Sequence, residues 1–164
     1  QKLIANSWQQ HQALTKEEQS PVKPWAWADF TAIARLRWQQ HDYYVLSSVS
    51  GQALAFGPGH LPSSAQPGDS GRVILAGHND SHFDFLQELK ANDELSLEDS
   101  EGVQKIYKVS SIDVVDSRVS RLQQAAQDEL MLVTCYPFNS LNRNTPMRLV
   151  VTANILDEAH RKPT

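Results

Sequence analysis

The chain has 164 residues, of which 40% are hydrophobic and 21% charged, with a net charge of −4 at pH 7. That length suits one domain burying roughly two-thirds of its unfolded surface, and the acidic balance excludes a nucleic-acid binder with the usual basic stripe. No run of ~20 apolar residues is present to span a bilayer, no secretory h-region is visible, and a single cysteine excludes an internal disulfide.

Residues 1–18 lack Pro and Gly and carry Leu3, Ile4, Trp8 and Leu14 on one helical face, so a helix is expected there. Pro21 and Pro24 end it. Trp25 to Phe30 is expected to pack on the body as about one helical turn. Ala32–Arg37 and Tyr43–Val49 read as strands, with Ser50-Gly51-Gln52 as a turn. The segment from Gly57 to Gly71, with three prolines and four glycines, reads as an irregular loop.

Val73–Gly77 is short, continuous and apolar, as in a buried strand. Phe83, Phe85, Leu86 and Leu89 predict a short helix, closed by Ala91-Asn92-Asp93. Further strands are predicted at Glu94–Leu97, Lys105–Val115, Leu130–Cys135 and Met147–Ile155, and a small helix near Ser120–Gln127. The fold class is therefore mainly β, a closed antiparallel barrel or a sandwich, with an N-terminal helix and short inserted helices.

Three strand ends carry chemistry. Cys135 closes one apolar strand, His78 follows Gly77 at the end of another, and Arg148 opens the last. If the last two strands form a hairpin, Cys135 and Arg148 oppose each other with Cα atoms about 5 Å apart. The guanidinium would then favour a thiolate, or the oxyanion formed when a thiolate attacks a carbonyl. Arg143, in the connecting loop, competes for this role, but a strand fixes a guanidinium better than a loop does. Other readings stay open. Cys135 alone is also what a packed core thiol looks like, which would make the protein a β-barrel binding module. His78, Asp80, His82, Asp84 and Cys135 also permit a metal-dependent hydrolase, although a glycine and a strand end before His78 argue against a shared helical face. A papain-like protease would have its cysteine open a helix, not close a strand.

Leu75-Ala76-Gly77-His78, then Val133-Thr134-Cys135, then an arginine thirteen residues on, resemble the signature of the sortases. These are cysteine transpeptidases that join proteins to amines. Leu54 to His60, Pro67-Gly68, His78 to Phe83 and Thr134 to Phe138 are similar to the Gram-negative, class GN sortases of proteobacteria, over roughly residues 32–155. One departure is Asn79, where many relatives carry arginine.

The resemblance implies a closed barrel of about eight strands and a division of labour. Cys135 attacks the Thr–Gly bond of an LPxTG-like sorting signal, Arg148 holds the substrate and oxyanion, and His78 protonates the leaving amine. Thr134, Tyr136, Phe138, His60 and His82 are the expected substrate-binding residues. For His60 a loop role competes, and for Tyr136 and Phe138 a packing role. Neither a cofactor nor a metal is expected, and the acidic residues Glu94, Glu98, Asp99 and Glu101 read as solvated strand edges and turns. Residues 1–30 would be a helical appendage following a removed membrane anchor, since the chain starts at Gln1 and not Met, and 31–157 the catalytic barrel. The expected setting is an inner-membrane-anchored monomer facing the periplasm, acting on a partner protein's C-terminal signal and an unknown amine. A free thiol near 8.5 and an imidazole near 6.5 both hold their reactive charge forms in under about 1% of molecules at pH 7, so a slow enzyme is expected.

Overall fold

The computed structural model describes residues 1–13, 22–125, 127–139 and 144–156. Helix α1, Lys2–Ala13, buries Ile4, Ser7 and Trp8 on one stripe, the three-and-four spacing of an amphipathic helix. Leu3, expected on that face, is 55% exposed, and Leu14 lies outside the described residues. The turn expected at Trp25–Phe30 forms, with the Ala28 amide donating to the Trp25 carbonyl (3.1 Å).

Strand β1, Ala32–Trp38, alternates buried and half-buried side chains along its length, as one inward face requires. It turns at Gln39, in the left-handed region (φ 51°), into β2, His41–Leu46. The turn expected at Ser50-Gly51-Gln52 is instead the start of helix α2, Gly51–Phe56, because the Ser50 hydroxyl accepts from the Ala53 amide and caps it. The loop expected over 57–71 contains a two-residue strand, β3, Gly59–His60. Gly59 passes so close to the Ser48 carbonyl that a Cβ there would collide with backbone. β4, Arg72–Ala76, follows, then a 3-10 helix at Asp84–Glu88. β5 is Glu94–Asp99, β6 Gln104–Asp116, β7 Glu129–Cys135 and β8 Met147–Ile155. The small helix expected near Ser120–Gln127 does not form over 120–125. Those side chains are almost all exposed, and so short a segment with no face to bury cannot hold a helix.

The described strands close into a barrel in the order β1-β2-β3-β4-β7-β8-β6-β5. It is mixed, not purely antiparallel: β2 pairs with β3, and β4 with β7, in parallel. The interior is filled by residues such as Leu36, Leu75, Leu97, Tyr107, Leu132 and Val151, each apolar side chain contributing about 2 kcal/mol of burial. A second cluster, built from Ile4, Trp8, Phe30 and Leu46, fastens α1 to the outer wall near β1 and β2.

Candidate active site

Two seams meet at one rim of the barrel. Along the parallel seam, β4 and β7 run in register from Arg72↔Glu129 to Ala76↔Val133. The Gly77 amide extends the ladder to the Val133 carbonyl (3.2 Å), and the Thr134 hydroxyl donates to the Gly77 carbonyl (2.7 Å). His78 therefore leaves the end of β4 at the same rim as Cys135, two residues past the last ladder pair. Along the antiparallel seam, β7 and β8 end on the pair Cys135↔Arg148. This is the pairing expected of a hairpin, and the Tyr136 amide continues it to the Met147 carbonyl (3.1 Å).

Leu130, Leu132 and Thr134 are buried with Leu149, Val151 and Ala153. Alternation along the strands turns Cys135 and Arg148 to the other face. The site thus opens on the outer wall at the rim, outside the packed interior.

Cys135 is a half-buried free thiol. His78 is exposed, and its carbonyl accepts the Phe83 amide (3.0 Å), closing the turn that follows. Gly77 makes that turn possible: a Cβ there would lie 2.8 Å from the Phe83 ring. The Arg148 guanidinium donates through Nη1 to the carbonyls of Thr145 (2.5 Å) and Met147 (2.9 Å). Its head is thereby held against the backbone at the mouth of the loop, on the residue whose Cα pairs with that of Cys135. A nucleophile, a proton carrier and a cation at one rim are the parts acyl transfer requires.

The residues expected to bind substrate have varied surroundings. His60 is 1% exposed, and its Nε2 pairs with the Ala65 carbonyl (2.8 Å) and the Ser64 hydroxyl (3.1 Å). It pins the 61–65 loop, the loop role. Thr134, 2% exposed, spends its hydroxyl on the Gly77 carbonyl and so braces the histidine turn. Tyr136 and Phe138 are half-buried, meet edge to face at 6.5 Å and pack on the barrel core, the anchoring role. His82 is half-buried, edge-on to Tyr43 at 5.3 Å, with its Nδ1 buried and unpartnered among the described residues. Burial holds its imidazole below the ordinary value, and the charge of His78 acts in the same direction. Among the described residues, no three His, Cys, Asp or Glu side chains gather as a metal would need, so the His78/Asp80/His82 ligand set does not form. Arg143 lies outside the described residues. Sequence reasoning missed the function of Asn79: its amide donates to the carbonyls of Cys135 (2.9 Å) and Pro137 (3.2 Å).

The family described as "Sortase domain" matches residues 33–156. The chain is 33% identical over 109 residues to a Sortase D of Bacillus subtilis (strain 168), a match covering 65% of this chain. It spans about half the length of that relative, 54%. Among solved structures, it is similar to a Clostridium perfringens Sortase D5 transpeptidase, at TM-score 0.74 and 18% identity, over 96% of this chain and 100% of that one. It is also similar to Clostridium perfringens sortase C solved with the C-terminal cell wall sorting motif, at TM-score 0.67 and 18% identity, covering 95% and 89%.

Proposed function

The chain belongs to the sortase family, and from that membership we propose that it is a cysteine transpeptidase acting on a C-terminal, LPxTG-like sorting signal. Cys135, as thiolate, attacks the Thr carbonyl of the Thr–Gly bond. Arg148 donates to the oxyanion as the carbonyl becomes tetrahedral. Collapse breaks the C–N bond, His78 gives its proton to the departing amine, and a thioester remains on Cys135. An incoming amine then attacks the thioester, His78 takes its proton, and the C–S bond breaks to release Cys135 as the thiolate while the new amide forms, restoring the starting pair. Water in place of the amine gives hydrolysis. The sequence of steps needs no cofactor.

One observation carries this reading: Cys135 and Arg148 are ladder partners at the end of the antiparallel seam, while the parallel seam ends at the same rim two residues before His78. The finer terms belong to the same proposal. These are class GN, a catalytic barrel over 31–157 behind a helical appendage at 1–30, and a membrane-anchored monomer at the periplasmic face of the inner membrane. They rest on the segments Leu54 to His60, Pro67-Gly68, His78 to Phe83 and Thr134 to Phe138. Among the described residues, no helix is long and apolar enough to cross a membrane. Fractionation of cells making the full gene product tests the location, and recovery in the cytosol rejects it.

The catalytic test is an intact-mass measurement after incubation with a panel of LPxTG-like peptides and an amine. An acyl adduct on Cys135 and a ligated product are expected, both lost in Cys135→Ala, which still unfolds at a temperature close to that of the parent. Turnover surviving in Cys135→Ala, or no adduct with any peptide, defeats the proposal.

A further inference from the structure

The rim leaves one polar side chain whose placement the three reacting groups do not account for. Asn79 directly follows His78, and its Nδ2 lies 2.9 Å from the Cys135 carbonyl oxygen and 3.2 Å from that of Pro137. Both partners are acceptors only, so only the NH2 end of an amide satisfies them, and its two protons are both used. The bonds are made past the end of the β4–β7 ladder, whose last backbone link is from Gly77 to Val133.

His78 thus lies between two side-chain tethers. Thr134, just before the cysteine, holds the carbonyl of Gly77, just before the histidine. Asn79, just after the histidine, holds the carbonyl of the cysteine itself. His78 is exposed and sits in irregular chain, so beyond its own turn and the Gly77–Val133 backbone link, these tethers fix its distance to Cys135. We propose that Asn79 is a positioning residue for transpeptidation, locking the histidine turn and the strand carrying the thiol into one register through its paired carbonyl bonds. The inference rests on the transpeptidase reading of the site. Its kinetic effect exceeds its effect on stability, because single hydrogen bonds at a surface contribute modestly to folding. Misplacing reacting groups by an ångström, in contrast, costs on the order of a hundredfold in rate.

Three variants test it: Asn79→Ala, Asn79→Asp and Asn79→Gln. Asp keeps the shape but offers only acceptors to two carbonyl oxygens, whereas Gln keeps both donors. With a peptide the parent ligates, kcat is expected to fall roughly 30-fold in Asn79→Ala and further in Asn79→Asp, with KM within about threefold and Gln recovering much of the loss. Melting temperatures of all three stay within a few degrees of the parent. Losses that follow melting temperature, a change in KM alone, or an Asn79→Ala enzyme equal to the parent overturn the proposal.

Alkylation of Cys135 by iodoacetamide at pH 7 needs no substrate. Asn79→Asp should slow it roughly fivefold, since a negative charge at the Cys135 backbone carbonyl opposes formation of the thiolate on the same residue, while Asn79→Gln stays within about twofold. An Asn79→Asp rate equal to the parent's removes Asn79 from the thiol's surroundings. If the parent forms no thioester with any peptide, the transpeptidase reading fails, and the alkylation rates still decide whether Asn79 acts at the thiol.

Discussion

The two seams that meet at the rim hold their reacting residues in opposite ways. On the antiparallel seam Arg148 is inside the ladder, paired with Cys135 on one side and with Val115 of β6 on the other. Its backbone is fixed by regular sheet, and its long side chain is steadied by the carbonyls of Thr145 and Met147. On the parallel seam His78 lies beyond the last ladder pair, in a turn whose alignment depends on Thr134, Asn79 and the Phe83 ring against Gly77. The cation therefore sits at the end of a long side chain on a rigid strand base, with its tip braced by backbone carbonyls. The imidazole has a short side chain on backbone that side chains must hold. This division suits the proposed transpeptidase reading, since an oxyanion would be followed by a donor fork as it forms, while a proton carrier would have to stay aligned with two successive nitrogen atoms.

Changes at Arg148 should have the largest effect. Arg148→Lys keeps the charge but loses the planar fork. Ligation is expected to fall roughly 10²- to 10³-fold, with melting shifted by only a few degrees, because the strand pairing survives. Lys-variant kinetics within twofold of the parent would reduce the role of this residue to bare charge.

Thr134→Val tests the other seam. The exchange is nearly isosteric and leaves the buried Gly77 carbonyl without its hydroxyl donor. Urea unfolding should register a loss of about 1–2 kcal/mol, and ligation should drop roughly tenfold under conditions where the protein is fully folded. An unchanged ligation rate with the expected loss of stability would show that this tether serves folding alone.

The smallest effect concerns His82. Its imidazole is held below the ordinary value, by burial first, so the fold favours the neutral ring. The associated stability is complete above the unfolded-state value of about 6.5 and is lost as pH falls below it toward the lower folded value. In His82→Phe the drop in melting temperature between pH 7.5 and pH 5 should shrink. An identical pH slope in parent and variant would mean that His82 is no more buried in solution than in an unfolded chain.

Much of this was readable from residues. β4, β7 and β8 appear as short continuous apolar runs, and β8 was expected over the same residues it occupies, Met147–Ile155. Hairpin logic alone paired Cys135 with Arg148, since an antiparallel register follows from a single connection. β3 was not readable, because a two-residue strand inside a Gly/Pro-rich segment has no periodicity and exists only through its neighbours β2 and β4. Gly51 suggested a turn, whereas the Ser50 cap makes it the first residue of α2. The tethers at Thr134 and Asn79 also escaped. They depend on the parallel register of β4 with β7, strands far apart in sequence, and no local pattern encodes such a register. His60 was ambiguous for the same reason, its partners Ser64 and Ala65 being set by loop geometry.

The position of β8 has a consequence for biosynthesis. Although it is the last described strand, it lies between β6 and β7 in the barrel, so both wait for it with unpaired edges. A ribosome that has finished Cys135 but not yet Arg148 holds a chain with Cys135 and His78 but without the guanidinium of Arg148, and with no completed wall to align them. On the proposed transpeptidase reading, the candidate site is assembled only when β8 closes the barrel.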